Sequence, residues 1–125
     1  MDKKTVVSSK IPVVGPYSSA VEANGFVFLS GQIPVDPETG EMIGDIKGAT
    51  RQVLVNIRSL LSEMGLSLAH IVKTTIFLKN MDEFSAVNEV YAEFFTSEPP
   101  ARSTVEVSAL PKGAPLEIEA VAVKG

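Results

Sequence analysis

Cysteine and tryptophan are absent from the 125 residues, and histidine occurs once, at His70. Without cysteine there are no disulfides, thiolate metal ligands or sulfur nucleophiles. One histidine almost empties the usual zinc ligand sets, and a Ser-His-Asp triad would depend on His70 in a chain with no Gly-x-Ser-x-Gly elbow. Phosphate cradles of the Gly-x-Gly-x-x-Gly or Gly-x-x-x-x-Gly-Lys type are missing, and Asp36, Glu38 and Glu41 lack the EF-hand spacing. No apolar run approaches the length of a membrane span, and Met1-Asp2-Lys3-Lys4 leads into Thr-Val-Val-Ser-Ser rather than an apolar signal core. Membrane and secretory roles are therefore not expected. Positive charge is also scarce: 11 Lys and Arg stand against 15 Asp and Glu, for a net charge of −4. With no basic run, the chain is a poor candidate for binding a nucleic-acid backbone.

What is present suits one domain over residues 1–125, at 45% hydrophobic and 21% charged. The mean hydropathy of +0.21 leans apolar for so short a chain, which suggests surface covered by another subunit. Lys4 to Ser8 reads as a first strand and Ile11 to Pro16 as a restrained loop. Asn24-Gly25 between two β-prone runs (Ser18 to Asn24, Phe26 to Ser30) predicts a hairpin on a type I′ turn. A loop follows from Gln32 to Gly44, with a surface turn at Asp36 to Gly40. Asp45 to Met64 is the clearest helix. Ile46, Ala49, Val53, Ile57, Leu60 and Met64 form its apolar stripe, Asp45 its N-cap and Gly65 its stop. Ile71 to Lys79 reads as a β-branched strand. Asn80 then opens a capping-box-like start with Glu83, for a helix to about Phe95 whose core face is Phe84, Val87, Tyr91 and Phe94. Two strands close the chain, at Pro99 to Val107 and Leu116 to Val123. The order β-β-β-α-β-α-β-β predicts an α+β domain: one mixed sheet with both helices on one face. The last strand should turn Leu116, Ile118, Ala120 and Ala122 to the helices. Glu117, Glu119, Val121 and Val123 would then face away, toward a second subunit.

The residues with most chemical promise lie at the end of the chain. Arg102 follows Pro99-Pro100-Ala101 and opens a strand, so restrained backbone fixes its position, and a guanidinium suits bidentate capture of a carboxylate. Glu117 is the acid that would work with it. Two readings of the arginine stand side by side: a functional pair with Glu117, or a structural salt bridge to Glu117 or Glu119. Tyr17 after Gly15-Pro16, and Ser30-Gly31 at a strand end where backbone can approach a ligand, are weaker signals. Asn88 sits at the edge of the second helix's apolar stripe. His70 reads as structural, and the eight aromatics (six Phe, two Tyr) fall mostly at core spacing.

These stretches resemble the Rid family, the reactive intermediate deaminases. The matching pieces are Gly15-Pro16-Tyr17-Ser18, Phe28-Leu29-Ser30-Gly31-Gln32, Thr75-Ile76-Phe77-Leu78, Asp82-Glu83-Phe84 with Val87-Asn88-Glu89-Val90-Tyr91, Pro100-Ala101-Arg102-Ser103-Thr104-Val105, and Leu110-Pro111-Lys112-Gly113-Ala114 with Glu117-Ile118-Glu119-Ala120. The resemblance implies a chorismate-mutase-like fold and a cytoplasmic homotrimer with sites at the subunit interfaces. It implies hydrolysis of 2-iminobutanoate and 2-iminopropanoate to 2-keto acids and ammonia, without metal or cofactor. Arg102 would anchor the carboxylate and Glu117 would position and activate water. Tyr17, Ser30, Gly31, Asn88 and Thr104 would complete the substrate site. Some members carry cysteine where this chain has Thr104, so a thiol-dependent activity is unavailable. The alternatives are a small-ligand-binding regulatory module without efficient turnover and, against the charge balance, an RNA-binding or endoribonuclease role.

Overall fold

The computed structural model describes residues 2–125. In chain order the elements are β1 (Lys4–Val6), β2 (Ala20–Ala23), β3 (Phe26–Gln32), α1 (Ile46–Glu63), β4 (Ile71–Leu78), α2 (Phe84–Phe94), β5 (Ala101–Glu106) and β6 (Leu116–Val123). The strands form one mixed sheet ordered β1-β2-β3-β6-β4-β5. Neighbours are antiparallel except β4 and β5, which run parallel because α2 carries the chain back between them. The α+β architecture expected from the sequence is the one observed.

Local chemistry explains the main boundaries. Asn24 and Gly25 both take positive φ, at 51° and 81°, as a type I′ hairpin requires. The carboxylate of Asp45 accepts from the Gly48 N–H at 2.8 Å and starts α1, and Gly65 at φ 74° ends it. The α1 stripe of Ala49, Val53, Leu54, Ile57, Leu60 and Leu61 is buried. It packs with Val87 and Tyr91 of α2 onto Val27, Leu29, Ile76, Leu78, Leu116, Ile118, Ala120 and Ala122 of the sheet. Both helices thus cover one face, which we call inner.

Several boundaries differ from the sequence reading. β1 stops at Val6, because the Ser8 hydroxyl accepts from the N–H groups of Lys10 and Ile11 and donates to Glu63 at 2.6 Å, which turns the chain. β3 runs past Ser30 to Gln32. It does so through a bulge against β6: Leu29 faces Ala120 but Gln32 faces Ile118, so β3 holds one extra residue around Ser30-Gly31. α2 starts a turn late, after a 3₁₀ turn at Met81–Glu83. Asn80 accepts there from the Asp82 N–H at 2.9 Å and forms no capping box with Glu83. Val90 joins the buried side of α2. The aromatics are less internal than their spacing suggests: Tyr17, Phe26 and Phe28 are exposed, the two phenylalanines on the outer face beside Val121 and Val123.

Candidate functional site

The candidate residues gather in two places rather than one. The first lies around the β3 bulge. Ser30 donates its hydroxyl to the Ser18 carbonyl at 2.6 Å, and its N–H goes to the Ser19 carbonyl at 3.0 Å. These bonds tie the Gly15-Pro16-Tyr17 turn to Gly31. The extra residue of the bulge aims the α-carbon of Gly31 at β6, where Glu117 fills the space a side chain would need. A Cβ on Gly31 would stand 2.6 Å from Glu117 Oε2 and 2.9 Å from its Cγ. Tyr17 and Gly31 also border a cleft of about 200 Å³, walled by Ile11, Val14 and Ile33 and closed by Pro111 and Lys112. Partial burial raises the pKa of Glu117 above the usual carboxylate value, and the neighbouring negative charge of Glu119 raises it further.

The second place lies across α2 and the edge strand β5. The guanidinium of Arg102 stands over the rings of Tyr91 (4.8 Å to the centroid) and Phe84 (5.5 Å). The Tyr91 hydroxyl is held by Thr74 at 2.7 Å, so the platform is fixed to the sheet beneath it. Burial raises the pKa of Tyr91, against the lowering effects of the Thr74 hydrogen bond and the Arg102 charge. Asn88 shares the α2 stripe with Phe84 and Tyr91, and Thr104 shares the inner face of β5 with Arg102.

The sheet register keeps the two places apart. Arg102 pairs with Thr74, and Thr74 with Ala120, on the inner face. Glu117 pairs with Phe77, and Phe77 with Val105, on the outer face. Arg102 and Glu117 therefore point to opposite sides of one sheet and do not meet within a chain. The ion pairs among the described residues are Lys47–Glu89, Arg51–Glu93 and Lys124–Glu22, so the salt bridge to Glu117 or Glu119, one of the two readings of Arg102, does not form within the chain. His70 takes its structural reading: its Nδ1 accepts from the Ser67 N–H at 3.0 Å. Among the described residues no three His, Asp or Glu side chains cluster as metal ligands would, and no helix is long and apolar enough to cross a membrane.

Sequence reasoning missed the aromatic platform. It assigned Phe84 and Tyr91 to the core, and the usable signal was Asn88 falling between them at helical spacing. It also missed Pro111 and Lys112 as a wall of the cleft. The left-handed φ of Lys112, 57°, tightens the turn that places them there.

Known proteins match the chain over nearly its whole length. The sequence matches the family described as Endoribonuclease L-PSP over residues 7–124. It is 51% identical to a RutC family protein of Pyrococcus horikoshii, over 98% of each chain. It is 44% identical to the 2-iminobutanoate/2-iminopropanoate deaminase of Salmonella typhimurium, over 97% of this chain and 98% of that one. A crystal structure of a Rid family protein from Yersinia pestis superimposes with a TM-score of 0.94 at 49% identity, over 98% of this chain and 99% of the other. With matched fold, matched length and identity of this order, the chain belongs to the Rid family, the group described as Endoribonuclease L-PSP.

Proposed function

We propose that this protein hydrolyses 2-imino acids such as 2-iminobutanoate and 2-iminopropanoate to 2-keto acids and ammonia, at a site assembled between copies of the chain. The observation that carries this reading is the opposed placement of Arg102 and Glu117. Among the described residues each is a charged group without a counter-ion, one on each face of the sheet. A second copy laid against the outer face would bring its edge strand, with Arg102, Asn88 and Thr104, to the Tyr17, Ser30, Gly31 and Glu117 of the first. The outer face supplies an apolar surface for that contact in Phe26, Phe28 and Val105. A homotrimer, three such interfaces closing a ring, is the assembly we propose, acting in the cytoplasm. The 44% identity to a named deaminase supports the choice of substrate.

The chemistry needs little more than these groups. An imino acid presents an electrophilic C2 next to a carboxylate. Arg102 anchors the carboxylate and so fixes C2. Glu117, with a pKa above the ordinary carboxylate value, aims a water and takes its proton as the oxygen bonds to C2. The C=N π pair moves to nitrogen, giving an amino alcohol. Glu117 returns the proton to nitrogen, an oxygen lone pair closes the carbonyl as the C–N bond breaks, the hydroxyl proton passes back to Glu117, and ammonia leaves a 2-keto acid. The test generates 2-iminobutanoate in situ with a threonine dehydratase while semicarbazide competes for the imine. The protein should suppress semicarbazone formation, and Arg102→Ala should abolish that suppression. Full activity in a folded Arg102→Ala protein would refute the mechanism, and a folded, assembled wild type that suppresses nothing would favour a ligand-binding module.

A further inference from the structure

Two polar residues of α1, Asn56 and Glu63, hold the walls of the cleft that Gly31 borders. They lie seven residues apart, two turns along one face of the helix. The Glu63 carboxylate accepts from the Ser8 hydroxyl at 2.6 Å, the Ser9 hydroxyl at 2.7 Å and the Ser9 N–H at 2.8 Å. These bonds fasten one end of a strap, Ser8 to Tyr17. The other end is held where Ser30 donates to the Ser18 carbonyl at 2.6 Å. Between them, the Pro12 to Tyr17 stretch has one hydrogen bond among the described residues, from the Tyr17 N–H to the Gly15 carbonyl, within the strap itself. Ile11 and Val14 of the strap form one wall of the cleft, and Ile33 and Val35 form another. Buried Asn56 holds that second wall by donating from Nδ2 to the Val35 carbonyl at 2.9 Å, and its Oδ1 is fixed by Gln52 at 2.9 Å. One helix therefore sets the width of the cleft from both sides.

The cleft and Glu117 share Gly31. Its backbone borders the cleft, and Glu117 Oε2 stands 2.6 Å from where its Cβ would be, so one α-carbon separates the acid from the cleft. We propose that the cleft receives the side chain of the substrate, and that the strap latched by Glu63 sets the size it admits. This rests on the imine-hydrolysis reading and adds which imino acids the protein favours. A water takes up about 30 Å³ and a methyl group is of similar size, so a cleft of about 200 Å³ holds about six such groups. The single methyl of 2-iminopropanoate leaves most of that space unfilled, whereas the four carbons of a leucine-derived imine fill more than half of it. Each carbon buried against apolar walls favours the larger substrate, by about tenfold at the low end. Glu63 and Asn56 are positioning residues that act through the walls. A strap released from Glu63 gives up its contact with a long side chain, while a short one that never reached the wall loses little.

The test compares imines made in situ by one L-amino acid oxidase, with catalase present, from L-alanine and from L-leucine, while semicarbazide competes for each. The wild type should favour the leucine-derived imine by at least about tenfold in kcat/KM. Glu63→Ala should lower that ratio about tenfold, chiefly by raising KM for the leucine-derived imine. Glu63→Gln keeps an acceptor for the two serines and should retain most of the ratio. Ile11→Phe narrows the cleft without touching the latch, should lower the same ratio, and serves if Glu63→Ala fails to fold. A wild-type ratio near one, or equal losses on both imines in both variants, would overturn the proposal. Calorimetric titration with two stable keto acids, 4-methyl-2-oxopentanoate and pyruvate, is run in parallel. Tighter binding of the larger acid that is lost in the variants, in a protein that turns over neither imine, keeps the cleft assignment and removes the deaminase reading. Turnover of both imines without a size preference does the reverse.

Discussion

Gly31 lacks room for even a methyl group, because Glu117 occupies the position of its missing Cβ. Gly31→Ala should therefore displace the Glu117 carboxylate and leave the backbone intact. A misplacement of this kind costs about tenfold to a hundredfold in rate, so kcat/KM should fall that far while Tm barely moves. Two carboxylates should show opposite pH behaviour. Glu117 has a raised pKa, so between its unfolded and folded values the native state binds the extra proton and stability falls as pH rises. Glu117→Gln should thus have a higher Tm than the parent at neutral pH, and the difference should vanish in acid. Glu63 is held below its usual pKa, first by the Ser8 hydroxyl and also by Ser9, so its contribution is present above the unfolded value and lost as pH falls. Glu63→Gln should lower Tm at neutral pH and converge with the parent at low pH. At this scale the sequence was partly readable. Arg102 stood out because Pro99-Pro100 fix where it sits. Its separation from Glu117 did not, because the face a strand residue takes depends on a register set by distant partners.

Two elements depend on single polar contacts. Asp45 caps α1, and Gly48 leaves space for its carboxylate, which lies within 3.0 Å of where a Gly48 Cβ would stand. Asp45→Ala should cost about 1 kcal/mol by denaturant titration. Tyr91→Phe should cost roughly 1–2 kcal/mol, because it leaves the buried Thr74 hydroxyl unpaired. The Phe ring would still lie beneath Arg102, so activity should survive better than stability. The hairpin and α1 could be read from sequence because their signals, Asn24-Gly25 and a stripe with its own cap and stop, lie within the elements. The bulge at Ser30-Gly31 could not. It exists only in the pairing of β3 with β6, some ninety residues away, and it is what turns Gly31 toward Glu117.

If the site is shared between chains as proposed, assembly through the outer face and activity stand or fall together. Phe28→Glu, on the exposed side of β3, should give a folded but dissociated chain by sedimentation, without imine hydrolysis. Two inactive variants should rescue each other. In a random mixture of Arg102→Ala and Glu117→Gln chains, about a quarter of the interfaces would unite an intact arginine with an intact glutamate. Activity returning after co-refolding would establish the shared site, and silence from a well-assembled mixture would place both groups in one chain. The sheet order carries a different consequence, for how the molecule comes into being. β6 is the last of the six strands in sequence, yet it lies between β3 and β4. A chain still emerging from the ribosome has β1 to β3 on one side and β4 and β5 on the other, with nothing to join them. The sheet can close only after β6 is made. The native sheet must therefore wait for β6, and the apolar outer strands need shelter from neighbouring polypeptides until then.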